Sequence, residues 1–463
     1  MASKTNFSTI YGRLFQPVDV AALGLFRILF GFLLCIEAYV VYTPDFVLEY
    51  YIKPPFHFPF RLFEIIDPHL TVSQMLILFQ VMGLAALGIM FGLCFRLSCL
   101  TFFFTFLYAV LYDKAMFYDY HYLILLIVIL LLFSGAQRWP ALNSLRFKKI
   151  TSQTTPYWQI LLLRFQFLAV YFYSGLSKVN TDWLLQAEPM YSRVLLKKTL
   201  LGISLHNIGV AYILSYAGVL INLLIPFLLI FKRIRWIGFG LILLLNGTNY
   251  FLFREVKTFP AVMMLPIVLF LPPEAPKQWF KRLCQMMSIK RAEAVTEIRE
   301  VESPMYHSAI RKKMIVGLIS GYIIFQVIFP LRHLLYPGEA RWTFEGVRCA
   351  WKFKVNAKDV KMKIYVTDST TGQKFDIPYK SQLSRYQLWM DNIPDILVQY
   401  CHKMRDEFIA WGIAKNPIIQ VEAYASLNGK PYQLFIDPAV NFAEIEYPLF
   451  SHAHWIIPLK ETK

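Results

Sequence analysis

Nine apolar runs separated by short polar connections leave this chain one class of fold. The runs cover residues 21–43, 73–94, 97–112, 119–135, 157–177, 207–231, 236–253, 259–272 and 314–335. A helix needs roughly 17–25 such residues to cross a bilayer. With 57% of its residues hydrophobic, the chain has more apolar surface than a soluble fold buries. Hydrocarbon offers no partner to backbone N–H and C=O groups, so each run must satisfy its own as an α-helix. The expectation is a polytopic α-helical membrane protein of about nine spans. The seventh and eighth runs are the weakest, because Arg254, Glu255 and Lys257 interrupt them and the eighth is short.

Nine spans put the termini on opposite sides. With the N-terminus inside, the inner segments carry about twice as many Lys and Arg as the outer ones, as the positive-inside rule requires. The expectation is therefore a cytoplasmic N-terminus and an extracytoplasmic C-terminal segment, periplasmic, extracellular or ER-lumenal. The net charge of +17 is read as topology and contact with anionic lipid; no basic-aromatic stripe argues for nucleic acid. The first run has no small-residue cleavage pattern at its end and acts as its own targeting signal. Segment 273–313 sets Lys281, Arg282, Lys290 and Arg291 among Met and Trp residues, the pattern of a helix lying on the inner leaflet, with a regulatory partner site as the alternative. Cys284 falls in this segment. Cys349 and Cys401 fall on the oxidising side, where they are candidates for pairing.

Tyr336-Pro337-Gly338 ends the last run and the composition turns polar, which divides the chain into a helical membrane domain, 1–335, and an α+β extramembrane domain, 336–463. Lys361–Thr367 alternates, and Ile418–Leu427 leads through Asn428-Gly429 into Tyr432–Ile436, a hairpin signal. Arg385–Gly412 has helical spacing, with Pro394 kinking or splitting it.

The chemistry-bearing stretch is Tyr171–Trp183, an apolar helix running through Ser174-Gly175 into Lys178 and then Thr181-Asp182-Trp183. Lys178 lies at the outer end of the fifth run. His121, reached through Asp113-Lys114 and an aromatic loop, lies at the outer entrance of the fourth. Ionisable groups at such depth are costly and functional by default. Desolvation favours the neutral form of both, which makes each a potential base. The bland readings are a snorkelling anchor for Lys178 and a hydrogen-bonded interface histidine for His121. Asn222 and Asn246 are polar groups within apolar runs, fit for helix–helix hydrogen bonding or for a ligand. His452 and His454 lack further ligands at zinc spacing, so no metal is expected. Phosphate-binding glycine loops, Gly-x-Ser-x-Gly elbows and His-Glu-x-x-His are absent from the sequence, which removes support for nucleotide and hydrolase chemistry.

Several of these segments occur together elsewhere. Leu25–Phe32 with its Phe26-Arg27, Tyr112-Asp113-Lys114 with His121-Tyr122-Leu123, Leu163–Gln166, Gly175 to Trp183, Phe259-Pro260, Trp342-Thr343, Trp351, Gln399-Tyr400 and Phe435–Pro438 resemble the vitamin K-dependent γ-glutamyl carboxylase family and its bacterial relatives, with their HTTM transmembrane domain. The resemblance runs from about Val18 to Pro458. It implies that Lys178 is the base that deprotonates vitamin K hydroquinone, with His121 at the same site, and that Arg193 and Arg385 help hold a glutamate carboxylate. It also places Trp342, Trp351, Asn222 and Asn246 on the substrate side. The implied cofactors are vitamin K hydroquinone, O2 and CO2, without a metal; the implied partners are the lipid bilayer and a glutamate-containing protein or peptide. The chain departs from the family pattern in several places. Asn222 and Asn246 stand where the family has an aspartate and a second histidine, Val347–Trp351 keeps only the tryptophan of the glutamate-site run, and Ala439 replaces an arginine. Quinol epoxidation coupled to γ-carboxylation is the leading reading. A quinol epoxidase or oxidase without peptide carboxylation, and a non-catalytic receptor, are the alternatives.

Overall fold

The computed structural model describes residues 11–64, 70–139, 153–195, 199–200, 203–204, 207–252, 258–286, 308–353 and 355–460. Among these, six helices are long and apolar enough to cross a membrane: Ala21–Val41, Val72–Phe91, Phe95–Tyr112, Tyr157–Leu176, Ile208–Ile230 and Ala309–Leu335. We label the helices α1 (Ala21–Ile36), α2 (Val72–Phe91), α3 (Phe95–Tyr112), α4 (Asp119–Leu132), α5 (Tyr157–Leu176), α6 (Ile208–Ile230), α7 (Arg235–Leu252), α8 (Thr258–Met264), α9 (Pro266–Phe270), α10 (Ala275–Met286) and α11 (Ala309–Ile328). The last residues of the first span, Glu37–Val41, are wound as a π-helical turn.

All nine apolar runs contain helix, three of them in shorter, more polar or broken form. The fourth run gives α4, of only 14 residues. The seventh gives α7, whose Arg235, Asn246 and Asn249 keep it out of the strongly apolar set. The eighth is broken: Pro266 begins a new helix, and the chain then bends by 93° into α10. Arg254, Glu255 and Lys257 lie outside the described residues. The helix expected on the membrane surface is α10, held at its start by Lys277–Asp19 at 2.6 Å; Lys290, Arg291 and the Cys284 side chain lie outside the described residues.

Arg27 explains its place in the first run. Fully buried, it donates to the carbonyls of Ile89 (2.8 Å) and Met90 (2.5 Å) at the end of α2, and to Ala136 (3.1 Å). Terminal helix carbonyls have no intrahelical donor, and a guanidinium satisfies them while opposing the negative end of the helix dipole.

Beyond the spans lies a four-stranded antiparallel sheet, β2-β1-β3-β4, from β1 (Lys358–Asp368), β2 (Lys374–Asp376), β3 (Pro417–Leu427) and β4 (Gln433–Leu434). Val360, Ile364 and Val366 of β1 with Ile419, Val421 and Ala423 of β3 are buried, one face of a period-two pattern. They form one core with Ile396, Leu397, Tyr400 and Met404 of α12 (Pro394–Ala410). The hairpin read from the sequence is present: Lys430 N–H closes a turn on Leu427 O, with Asn428 (φ 52°) and Gly429 (φ 76°) both left-handed at its centre, as type I′ turns demand. Pro394 does not kink a helix; it is the first residue of α12, where its missing N–H costs nothing. The pairing considered for Cys349 and Cys401 is also corrected. Both are free, Cys401 buried in the core of the outer unit and Cys349 in a loop against the membrane helices.

Candidate active site

Four helix ends meet at one face of the bundle. Gln326 near the end of α11 donates to the Tyr122 hydroxyl at the start of α4 (2.9 Å), Tyr173 near the end of α5 donates to Val327 O (2.6 Å), and Tyr120 donates to Glu37 just past α1 (3.1 Å). The outer unit closes over this face. Asp119 accepts the backbone N–H groups of Cys349 (2.7 Å) and Trp351 (3.0 Å), while Gln387 donates to Asp113 (2.9 Å). Asp395 pairs with Lys114 (3.1 Å) and Arg348 (2.9 Å). The loop that Asp119 holds carries Cys349 and Trp351 at φ 60° and 58°. Such left-handed non-glycine backbone persists only where its surroundings over-determine it.

Lys178 lies two residues past the fifth span and turns back onto its own helix. Its Nζ donates to Ser174 O (2.6 Å) and Ser174 Oγ (2.8 Å), and stands 5.6 Å from the ring centroid of Trp183. Gly218 of α6 lets both side chains approach: a Cβ there would sit 3.3 Å from the Trp183 ring and 4.0 Å from Lys178 Cδ. The side chain is 6% exposed, and no carboxylate pairs with it among the described residues. Burial therefore sets its charge and lowers the ammonium to about 7. A snorkelling lysine would extend its amine toward water; this one is withdrawn from it.

His121 lies on the first turn of α4, 4% exposed. Its Nδ1 accepts the Tyr118 N–H (3.2 Å), so the neutral ring, assigned from this hydrogen bond, carries its proton on Nε2. Tyr120 packs against it at 4.1 Å between centroids and Phe106 at 5.6 Å. Behind Tyr120 lies Glu37, fully buried, with the Thr258 hydroxyl as its other polar neighbour. Sequence reasoning passed over Glu37, although it is the one acidic residue of run 21–43. Glu37→Ala is expected to strand the buried Tyr120 hydroxyl and cost about 1–3 kcal/mol, the scale for an unsatisfied buried donor. Glu37→Gln keeps an acceptor and is expected to recover most of that in thermal unfolding in detergent; equal losses for both would mean that the charge, not the hydrogen bond, matters.

Asn222 donates to Gly218 O of its own helix (2.6 Å) and backs onto Gly175. Asn246 donates to Ile242 O (2.9 Å) and to the Tyr171 hydroxyl (2.8 Å), which in turn donates to Met263 O (2.5 Å), tying α7, α5 and α8 together. Trp351 is fully buried and stacks on Tyr122 at 5.3 Å; its indole N–H has no acceptor among the described residues. Trp342 sits in the core of the outer unit, its indole donating to Ile457 O (2.7 Å). Arg385 is exposed, and the Arg193 side chain lies outside the described residues. Lys178 and Asn222 thus share one wall with α6, and His121 and Trp351 share another around α4. No hydrogen bond joins Lys178 to His121 among the described residues.

No group of three His, Cys, Asp or Glu able to hold a metal occurs among the described residues; His452 instead meets Glu345 at 2.8 Å. A cleft lined by Tyr11, Arg13, Phe15 and Lys312 lies beside the beginning of α11, remote from the face that carries Lys178. The side chains around His121 are aromatic: Phe259 lies 4.2 Å from Phe353 and 6.5 Å from Tyr120 between centroids.

Two family models match the chain. The HTTM domain covers residues 15–275, and the vitamin K-dependent gamma-carboxylase lumenal domain covers residues 311–462. No solved structure matches the chain.

Proposed function

We propose, from the premise that the chain belongs to the vitamin K-dependent carboxylase family through its HTTM and lumenal domains, that it couples oxidation of a reduced naphthoquinone to γ-carboxylation of protein glutamate, with Lys178 as the initiating base. The observation that carries the reading is the buried Lys178 amine, lowered to about 7 and held by neutral oxygens. An amine titrating near operating pH suits a general base. The residues present fit a flat ring bearing hydroxyls: aromatic surfaces at Tyr122, Trp351 and Phe259, an unspent indole N–H on Trp351, and a proton on His121 Nε2. Reduced vitamin K with O2 supplies, once deprotonated, the strong base that frees the glutamate γ-carbon to take up CO2. Lys178 Nζ takes the first proton, Trp183 and the α6 backbone at Gly218 shield it from water, and the outer unit covers the face. Strong bases survive only where bulk protons are excluded.

Purified protein given reduced vitamin K, O2, labelled bicarbonate and a glutamate-rich peptide is expected to form epoxide and to label the peptide. Epoxide without peptide label would favour a quinol epoxidase. That second reading is supported by Asn222 and Asn246, hydrogen-bonded amides that carry no titrating proton near neutral pH. Neither product would leave a non-catalytic receptor.

We further propose that the membrane domain ends near residue 335, that the N-terminus is cytoplasmic, and that Arg193 and Arg385 serve the glutamate carboxylate. Phe450, 94% exposed, and Trp279, 49% exposed, then face opposite compartments. In sealed cells an impermeant maleimide should modify Phe450→Cys and spare Trp279→Cys, with peptide mass spectrometry separating these sites from the native cysteines. The reverse pattern inverts the topology.

A further inference from the structure

Asp182 immediately precedes the tryptophan that covers Lys178, and it is 1% exposed. Its Oδ2 accepts from Arg341 Nη1 (3.1 Å) and Asn428 Nδ2 (2.9 Å), and its Oδ1 lies 2.7 Å from Lys430 Nζ. All three donors come from beyond the last span, two of them from the β3–β4 turn. Arg341 is itself fixed by Glu339 (2.9 Å) and by Asn180 (2.8 Å), whose side chain also caps the short helix Thr181–Leu185 at the Trp183 N–H (3.1 Å). Trp183 is then fastened to α6 twice: its indole donates to Ser215 O (2.7 Å), and Ser215 Oγ donates to Trp183 O (2.5 Å). A continuous path of contacts runs from the outer unit through Asp182 and Trp183 to the amine.

We propose that the outer unit, acting through Asp182, clamps Trp183 over Lys178 and keeps the amine dry, so that Asp182 is a positioning residue for the base. The inference rests on Lys178 being the base of the proposed reaction. The groups facing the amine are uncharged on every element packed against it: Ser174 on α5, Trp183 on the short helix, Gly218 on α6. Charges begin one layer out, where Asp182 is matched by Arg341 and Lys430. Dehydration rather than a neighbouring charge therefore sets the amine, and a clamp that opens admits water. Water stabilises the ammonium and returns it toward its ordinary value of 10.5.

The test measures Lys178 directly, by trace acetylation with acetic anhydride at graded pH and peptide mass spectrometry. Only the neutral amine reacts. The wild-type midpoint is expected near 7, and Asp182→Asn is expected to move it up by a unit or more, which is about a tenfold smaller neutral fraction at pH 7. Quinol oxidation should fall by a similar factor at pH 7 and recover toward pH 9. Lys430→Gln, at a position whose side chain is 23% exposed, leaves Arg341 and Asn428 in place; it carries the test if Asp182→Asn does not fold, with a smaller shift of the same sign. A midpoint unmoved in folded variants, or a wild-type midpoint near 10, overturns the clamp. A midpoint that moves in a protein without quinol oxidation upholds the clamp and overturns the functional reading instead.

Discussion

Replacing Lys178 with alanine is expected to abolish quinol oxidation, a loss of at least roughly 10²–10⁴-fold on the scale of one general base. The protein should still insert and fold, because Trp183 keeps both of its ties to Ser215 and the Asp182 network is untouched. Lys178→Arg separates the base from the positive charge. A guanidinium stacks on Trp183 at least as well, yet it stays protonated at any pH the protein tolerates and accepts nothing, so this variant should be as inactive as the alanine. In the wild type the reactive form is the neutral amine, so activity should climb as pH rises through about 7. Epoxide formation at the wild-type rate in either variant would remove Lys178 from the reaction.

Asp395→Ala is expected to be the most destabilising single change in the seam between the spans and the outer unit, by about 3–5 kcal/mol, the cost of leaving buried partners of an ion pair uncompensated. Asp395 takes a two-pronged contact from Arg348 (2.9 and 3.1 Å) and a third from Lys114, itself 5% exposed. Burial alone would raise this carboxyl; the Arg348 guanidinium and the Lys114 ammonium outweigh it and bring it down to about 2. The sign follows from that depression. The contribution is fully present above the ordinary aspartate value of 3.8 and is lost as pH falls from there through about 2. Thermal unfolding in detergent from pH 6 to pH 2 should show this loss in the wild type and not in Asp395→Ala. Parallel curves for the two proteins would mean that the pair contributes nothing.

Much of the membrane unit was legible because hydrocarbon leaves the backbone no alternative to helix. Lys178 and His121 stood out for the same reason, as ionisable groups where apolar ones are the rule. Glu37 carried the same signal, as the one acidic residue of run 21–43, and was passed over; what it holds, Tyr120, comes from a different helix. Asp182 was visible as part of a motif, but what it does depends on Arg341, Asn428 and Lys430, which only folding brings near. An apolar run does not report how its helix is built: α4 is short, and Pro266 divides the eighth. Pro394 was read as an interruption because spacing alone cannot separate the first turn of a helix from its middle. The candidate pairing of Cys349 with Cys401 fell on geometry, since Cys401 faces the sheet and Cys349 faces Asp119.

The seam that holds the site together is made of contacts between distant parts of the chain. Asn428 meets Asp182 across 246 positions, and Lys114 meets Asp395 O across 281. A ribosome delivers the helices bearing Lys178 and His121 long before it delivers their cover. On the proposed clamp, the amine acquires its dry setting only once the outer unit has folded onto Asp182, so the bundle alone is expected not to start the proposed reaction.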